Sequence, residues 1–211
     1  LEVEDKMGIL SIFRKPAPKE IYQEIASRII ISSFQYRSDL DEDNNKFSAD
    51  AGAELAYLLL HIVDKAAFEL FGPKRSEEIF EEISKIVIVD YCKSVFGPEM
   101  PKTVVSDMAV RMFNDINKRQ LIYHQCTSVI GKSPFPASKG TMVRALAYFV
   151  HFALRRTSRT DVDEILCGQK DIAKDDLKDF PDFEQTTTLA IHVGTSIGAI
   201  GIKDLLKKLR I

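Results

Sequence analysis

The sequence predicts an all-α protein, an irregular multi-helix bundle of about six to eight helices around one core. Three observations carry that expectation. Apolar residues recur at helical spacing in at least five segments. Gly and Pro punctuate those segments where helices stop, twice as Phe-Gly-Pro, at 71–73 and 96–98. Apart from Ile86 to Val89, no β-branched run matches Thr186 to Val193 in strength, so a sheet has nothing to pair with. With 211 residues, 45 % hydrophobic and 13 of them Phe, the chain can fill a single core without disulfide or metal staples. Residues 1–18 read as an N-terminal extension, with Met7-Gly8 as the natural start behind residues 1–6, and 19–211 as one helical domain.

Each element has its own signal. Lys19 to Tyr36 follows Pro16 and Pro18 and repeats Ile21, Ile25 and Ile29 at i, i+4. An acidic connector, Asp39 to Ser48, comes next. Asp50 to Phe71 is the clearest helix: Leu55, Leu59, Ile62, Val63, Ala66 and Leu70 share one face, and Asp50, Glu54, Asp64, Lys65 and Glu69 the other. Gly72-Pro73 stops it, and Arg75 to Phe96 ends the same way at Gly97-Pro98. Thr103 to Ile130 reads as one long helix with Met108, Ala109, Met112, Phe113 and Ile116 on one side. Gly131 to Gly140 is a loop. Thr141 to Arg156 is apolar over most of its circumference and is expected to lie centrally. Arg159 to Asp182 turns acidic and broken, with one or two short helices begun by Asp161 and Asp171. In the tail, Thr186 to Val193 fits a strand or a helix, and Lys203 to Leu209 fits a helix.

Charge and cysteines narrow the setting. With 29 Lys+Arg against 31 Asp+Glu the net charge is −2, which gives no strong field toward nucleic acid or membrane. Cys92, Cys126 and Cys167 are odd in number and form no C-x-x-C pair, which suits reduced thiols in a cytoplasmic protein. No signal-peptide pattern opens the chain. The uncharged stretch from Gln185 to Ile202 carries Gln185, three consecutive Thr and His192, so integral membrane association is not expected. Met7 to Phe13 is a short apolar cluster, too small to anchor alone and suited to packing on the core or across a dimer interface.

Gly194-Thr195-Ser196-Ile197-Gly198 is a G-x-S-x-G. Together with Ala199 it resembles the nucleophile elbow of patatin-like lipases, and the resemblance implies a reactive Ser196 on a strand-to-helix turn. It covers those six residues alone. No histidine follows Ser196 and no glycine-rich oxyanion segment lies upstream, so small residues packing closely in a helix or turn is the preferred reading.

The four histidines fall one per apolar segment. The residue three before each is Leu58, Leu121, Tyr148 or Leu189, never Glu, so a ferritin-like dimetal site is excluded and no metal or cofactor is expected. His61 lies on a polar stripe with Glu54, Tyr57, Asp64 and Phe68. A solvated face rarely carries two aromatics, so that stripe is expected to be covered by another element or a partner, as an interface or pocket. Asn117, Gln120 and His124, at i, i+3, i+7, suit a hydrogen-bond network or pocket wall. Asp90 falls on the side of Ile79, Ile83 and Ile86 and should find a basic partner. Arg144, Tyr148, His151 and Arg155 repeat on one stripe able to grip an anion, with Asp161 to Glu184 as the competing internal counter-charge.

No motif stands in its proper context for catalysis. The expectation is a soluble intracellular helical module, non-enzymatic, engaging a protein partner or itself as a homo-oligomer, without nucleic acid. The alternative is a helical small-molecule or anion-binding protein, potentially an enzyme, using Arg144, His151 and Arg155 and the core histidines.

Overall fold

A computed structural model of the chain describes residues 17–41, 48–97, 99, 101, 102–124, 126, 128–129, 141–155 and 183–210. These form seven α-helices and a closing 3-10 turn: α1 (Pro18–Asp41), α2 (Ser48–Phe71), α3 (Pro73–Phe96), α4 (Lys102–His124), α5 (Met142–Arg155), α6 (Phe183–Ile200), α7 (Ile202–Lys207) and Lys208–Arg210. No strand occurs among the described residues; an isolated bridge joins Ser128 and Thr141. The helices pack on one another as a bundle, as the apolar periodicities require.

The helix breaks follow from glycine. Gly72 and Gly97 adopt φ of 78° and 87°, a region that L side chains rarely enter, and each donates its N–H back to the turn before it, to Phe68 O and Lys93 O at 2.9 Å. Pro73 then opens α3, where its missing N–H is no loss. Gly201, with φ 60° and ψ 40°, separates α6 from α7. The carbonyls exposed at the end of α6 are taken up from across the bundle: Arg28 Nη1 donates to Ala199 O and Ile200 O at 3.1 and 3.0 Å.

α2 is the hub, touching α1, α3, α4, α5 and α7. Every residue from Ala51 to Leu60 is buried, so the helix has no solvated face there, contrary to the two-faced wheel that its sequence suggests. The helices around it come close. A Cβ added at Gly52 would lie 2.6 Å from Tyr91 Oη and 3.1 Å from Ser33 O, so glycine is what admits α1 and α3 at that point. α5 is buried as expected wherever its side chains are described.

Three expectations need correction. α4 stops at His124 and does not run to Ile130. The segment after it, rich in β-branched and hydroxyl residues, serves α5 instead: Ser128 O and Val129 O accept the first N–H groups of α5, from Met142 and Val143, at 3.0 Å. Phe113 faces solvent, away from the side that carries Met112 and Ile116. Asp90 is exposed as well, since the buried face of α3 runs through Ile83, Val87 and Tyr91; it pairs with Lys93 at 3.7 Å, a surface contact.

Thr186 to Val193 is helical, within α6. Ser196 is thus in the middle of a helix and buried, not on a turn after a strand, and the elbow resemblance has no structural counterpart. Thr188–Arg210 is long and apolar enough, by length and composition, to cross a membrane, but that alone does not establish insertion. Leu189, Val193, Ile200, Ile202, Leu205 and Leu206 turn its apolar side chains into the bundle.

Candidate functional site

The polar stripe of α2 runs Glu54, Tyr57, His61, Asp64, Phe68, and α4 lies across it. The two ends of this seam differ. At the first, Glu54 and Arg119 form a two-pronged ion pair, Arg119 Nε to Oε2 at 2.9 Å and Nη2 to Oε1 at 3.0 Å. The two residues are 1 % and 2 % exposed. The guanidinium lies 3.7 Å from the centre of the Phe149 ring, and Tyr123 meets the same ring edge-on at 6.1 Å. Planar charge delocalisation lets arginine pair with a carboxylate in its plane and stack above it. This end is buried, with its two charges paired.

At the second end, His61 Nδ1 is hydrogen-bonded to the side-chain oxygen of Gln120. A carboxamide oxygen only accepts, so Nδ1 carries the proton and Nε2 keeps its lone pair. The ring packs edge-on to His124 at 4.9 Å and tilted against Tyr123 at 5.4 Å. Burial, with smaller repulsions from His124 and Lys65, outweighs the Gln120 bond and pushes the His61 pKa down to about 4. Burial pushes the Asp64 carboxyl up from its ordinary range, with nearby His124 acting against it.

A cavity of about 270 Å³, open to solvent on one side, is lined by His61, Asp64, Lys65, Phe68, Tyr123, His124, Cys126 and Met142. A much smaller gap, about 50 Å³, lies between α2, α3 and α4 around Tyr91, Cys92 and Met112.

The larger cavity holds the side-chain types of nucleophilic catalysis, but not their arrangement. The Cys126 thiol donates to Ile122 O at 3.5 Å and burial raises its pKa, which disfavours the thiolate. Among the described residues no group of three His, Cys, Asp or Glu side chains is placed to hold a metal ion. The arrangement can bind, using aromatic walls and a few fixed polar atoms.

The sequence-derived site residues divide accordingly. His61, Asp64 and Phe68 meet Gln120 and His124 at the seam. Glu54 is taken by Arg119, and Tyr57 is buried. Asn117 leaves its expected companions and is exposed on the outer face of α4. His192 stands apart, its Nε2 3.2 Å from Asp39 Oδ2. The side chains of Arg144, Tyr148, His151 and Arg155 lie outside the described residues, as does most of Asp161 to Glu184.

Sequence reasoning missed Arg119, Tyr123, Lys65, Cys126 and Met142. For Arg119 a signal existed: Met112, Ile116, Arg119 and Tyr123 follow at i, i+4, i+7, i+11, which puts a cation in the middle of an apolar face.

A further surface stands opposite the buried face of α4. Asp107, Val110, Asn114, Asn117, Leu121 and His124, spaced alternately by three and four, are all exposed. Val110 is 59 % and Leu121 67 % exposed, with Phe113 at 43 % on the flank.

The class these features define is a helical bundle with a cavity walled by aromatic rings and an outer helix face that exposes Val110, Phe113 and Leu121. Compared with protein families, with curated proteins and with solved structures, the chain finds no match.

Proposed function

We propose that the protein is a non-enzymatic interaction module that pairs with a second copy of itself through the outer face of α4. The observation that carries this reading is the exposure of Val110, Phe113 and Leu121 on the outer side of α4, with Arg111 and Lys118 exposed along one edge of it. Large apolar side chains gathered on one outer stripe mark a contact surface far more than the same residues scattered singly.

The stripe is complementary to itself. In an antiparallel pair about a two-fold axis, Val110 meets Leu121 of the second copy, Asn114 meets its Asn117, and Asp107 meets its His124. Apolar layers then flank a central Asn layer that fixes register, and an Asp–His contact closes each end. The face from Asp107 to His124 is about 27 Å long at 1.5 Å per residue, so the contact is small and the association transient. The setting that suits it is a reducing, cytoplasm-like compartment, in which Cys92 and Cys126 stay thiols.

Sedimentation velocity across a concentration series tests the reading. The wild-type chain is expected to dimerise reversibly. Leu121→Glu and Val110→Glu should be monomeric with unchanged melting temperatures, because neither side chain belongs to the core. A wild-type monomer at every concentration, or a dimer indifferent to both changes, overturns it.

A further inference from the structure

The cavity at the second end of the α2–α4 seam shares His124 with the α4 outer face and is otherwise built from different residues. We infer that it is a binding site for a small planar ligand rich in N–H donors, of the amidine or amino-heterocycle class. At about 270 Å³ it is too large for one ordered water and suits a fragment of one or two rings. Its walls are flat and soft. The rings of Phe68, Tyr123, His61 and His124 and the thioether of Met142 line it, surfaces that favour a stacked aromatic or a delocalised cation.

The fixed polar atoms then set the sign of the ligand. His61 is locked by Gln120 so that Nε2 accepts and cannot donate. Asp64 is half-buried and, among the described residues, makes no hydrogen bond or ion pair. A carboxylate in that position is costly until something donates to it. These two acceptors call for a guest that brings its own N–H groups, and a positive one gains further from Asp64 and from the aromatic faces. The buried Tyr123 hydroxyl, which has no hydrogen-bond partner among the described residues, can meet an acceptor on the same guest. A carboxylate or phosphate would face both acceptors at once. Among the described residues Lys65 is the one lysine or arginine lining the cavity, and its side chain is exposed.

The low proton affinity of His61 keeps the acceptor available at neutral pH. The same logic makes binding pH-dependent, because a proton on Asp64 or on His61 Nε2 replaces the guest.

Benzamidine is the probe, with benzoate as a control of the same shape and opposite charge. The full chain is titrated with each while amide shifts and melting temperature are followed. Benzamidine should raise the melting temperature and shift resonances of residues 61–68 and 120–126, whereas benzoate should do neither. Asp64→Asn should weaken benzamidine by about tenfold or more, the scale of a lost charge-assisted hydrogen bond. Phe68→Ala, at an exposed position that the fold does not depend on, should weaken it several-fold, and Leu121→Glu should leave it unchanged. Binding should fade between pH 7 and pH 4. The inference is overturned if benzamidine does not bind, if benzoate binds as well, if the shifts map elsewhere, or if both Asp64→Asn and Phe68→Ala bind like the wild type.

Discussion

The two ends of the α2–α4 seam use the same pair of helices and similar residue types, yet they differ in kind. At the first, Glu54 and Arg119 satisfy each other under a roof of Phe149, and the space is closed. At the second, His61 and Gln120 satisfy each other while Asp64 is left over, and a cavity remains. The difference lies in stoichiometry and shape. A guanidinium offers two donors in one plane to a carboxylate's two acceptors, which completes the end. An imidazole and a carboxamide share one bond and leave a lone pair, and α4 ends at His124, beside the cavity.

The largest expected effect breaks the closed end. Glu54→Leu strips Arg119 of its two-pronged partner deep in the core and should cost about 3–5 kcal/mol in urea unfolding at pH 7. Glu54→Leu combined with Arg119→Leu should recover most of that loss, because the remaining site is apolar. A single change no worse than a surface substitution would erase the contrast between the ends.

A somewhat smaller effect belongs to the open end and appears with pH. The folded His61 pKa lies below its ordinary value, so the unfolded chain takes up the proton first as pH falls. The stabilisation is complete above about pH 6.5 and drains away as pH falls toward 4, amounting to about 3 kcal/mol in all. His61→Phe should remove this share of the acid sensitivity, read as the change in unfolding free energy between pH 7 and pH 4.5. Asp64 acts with the opposite sign: its raised folded pKa favours the folded state as pH falls. Asp64→Asn should therefore steepen the acid loss, and a shallower loss would show that the two groups are not opposed.

The smallest effect sharpens what burial adds. Lys203 Nζ meets Glu69 Oε2 at 2.8 Å, as close as Arg119 meets Glu54, but both side chains are largely exposed. Lys203→Ala should cost less than about 1 kcal/mol and less still in added salt. A cost near that of Glu54→Leu would mean that distance, not desolvation, governs these pairs.

Much of the fold was legible in the residues. The all-α class, the Phe-Gly-Pro stops and the apolar periodicities of α1, α2 and α3 follow from local chemistry: propensity, positive φ and a missing N–H act within a few residues of where they are written. Of the two aromatics on the α2 stripe, Tyr57 is covered by the bundle and Phe68 is exposed. The site was legible only in pieces, with His61 and Asp64 on one helix and Gln120 and His124 on another.

Which pieces meet was decided by tertiary structure. Helical period says that His61, Asn117, Gln120 and His124 lie on particular faces, but not which face turns to which helix. The crossing of α2 and α4 brings Gln120 to His61 and sends Asn117 outward with Val110 and Leu121. The end of α4 was likewise out of reach of local rules, since Ser128 and Val129 leave the helical pattern to satisfy N–H groups of α5. Composition and spacing thus determined which elements form, because backbone hydrogen bonds within a helix are local. Pairing, burial and the cavity depended on contacts between residues some sixty positions apart, such as His61 and Gln120, for which no local pattern holds the information.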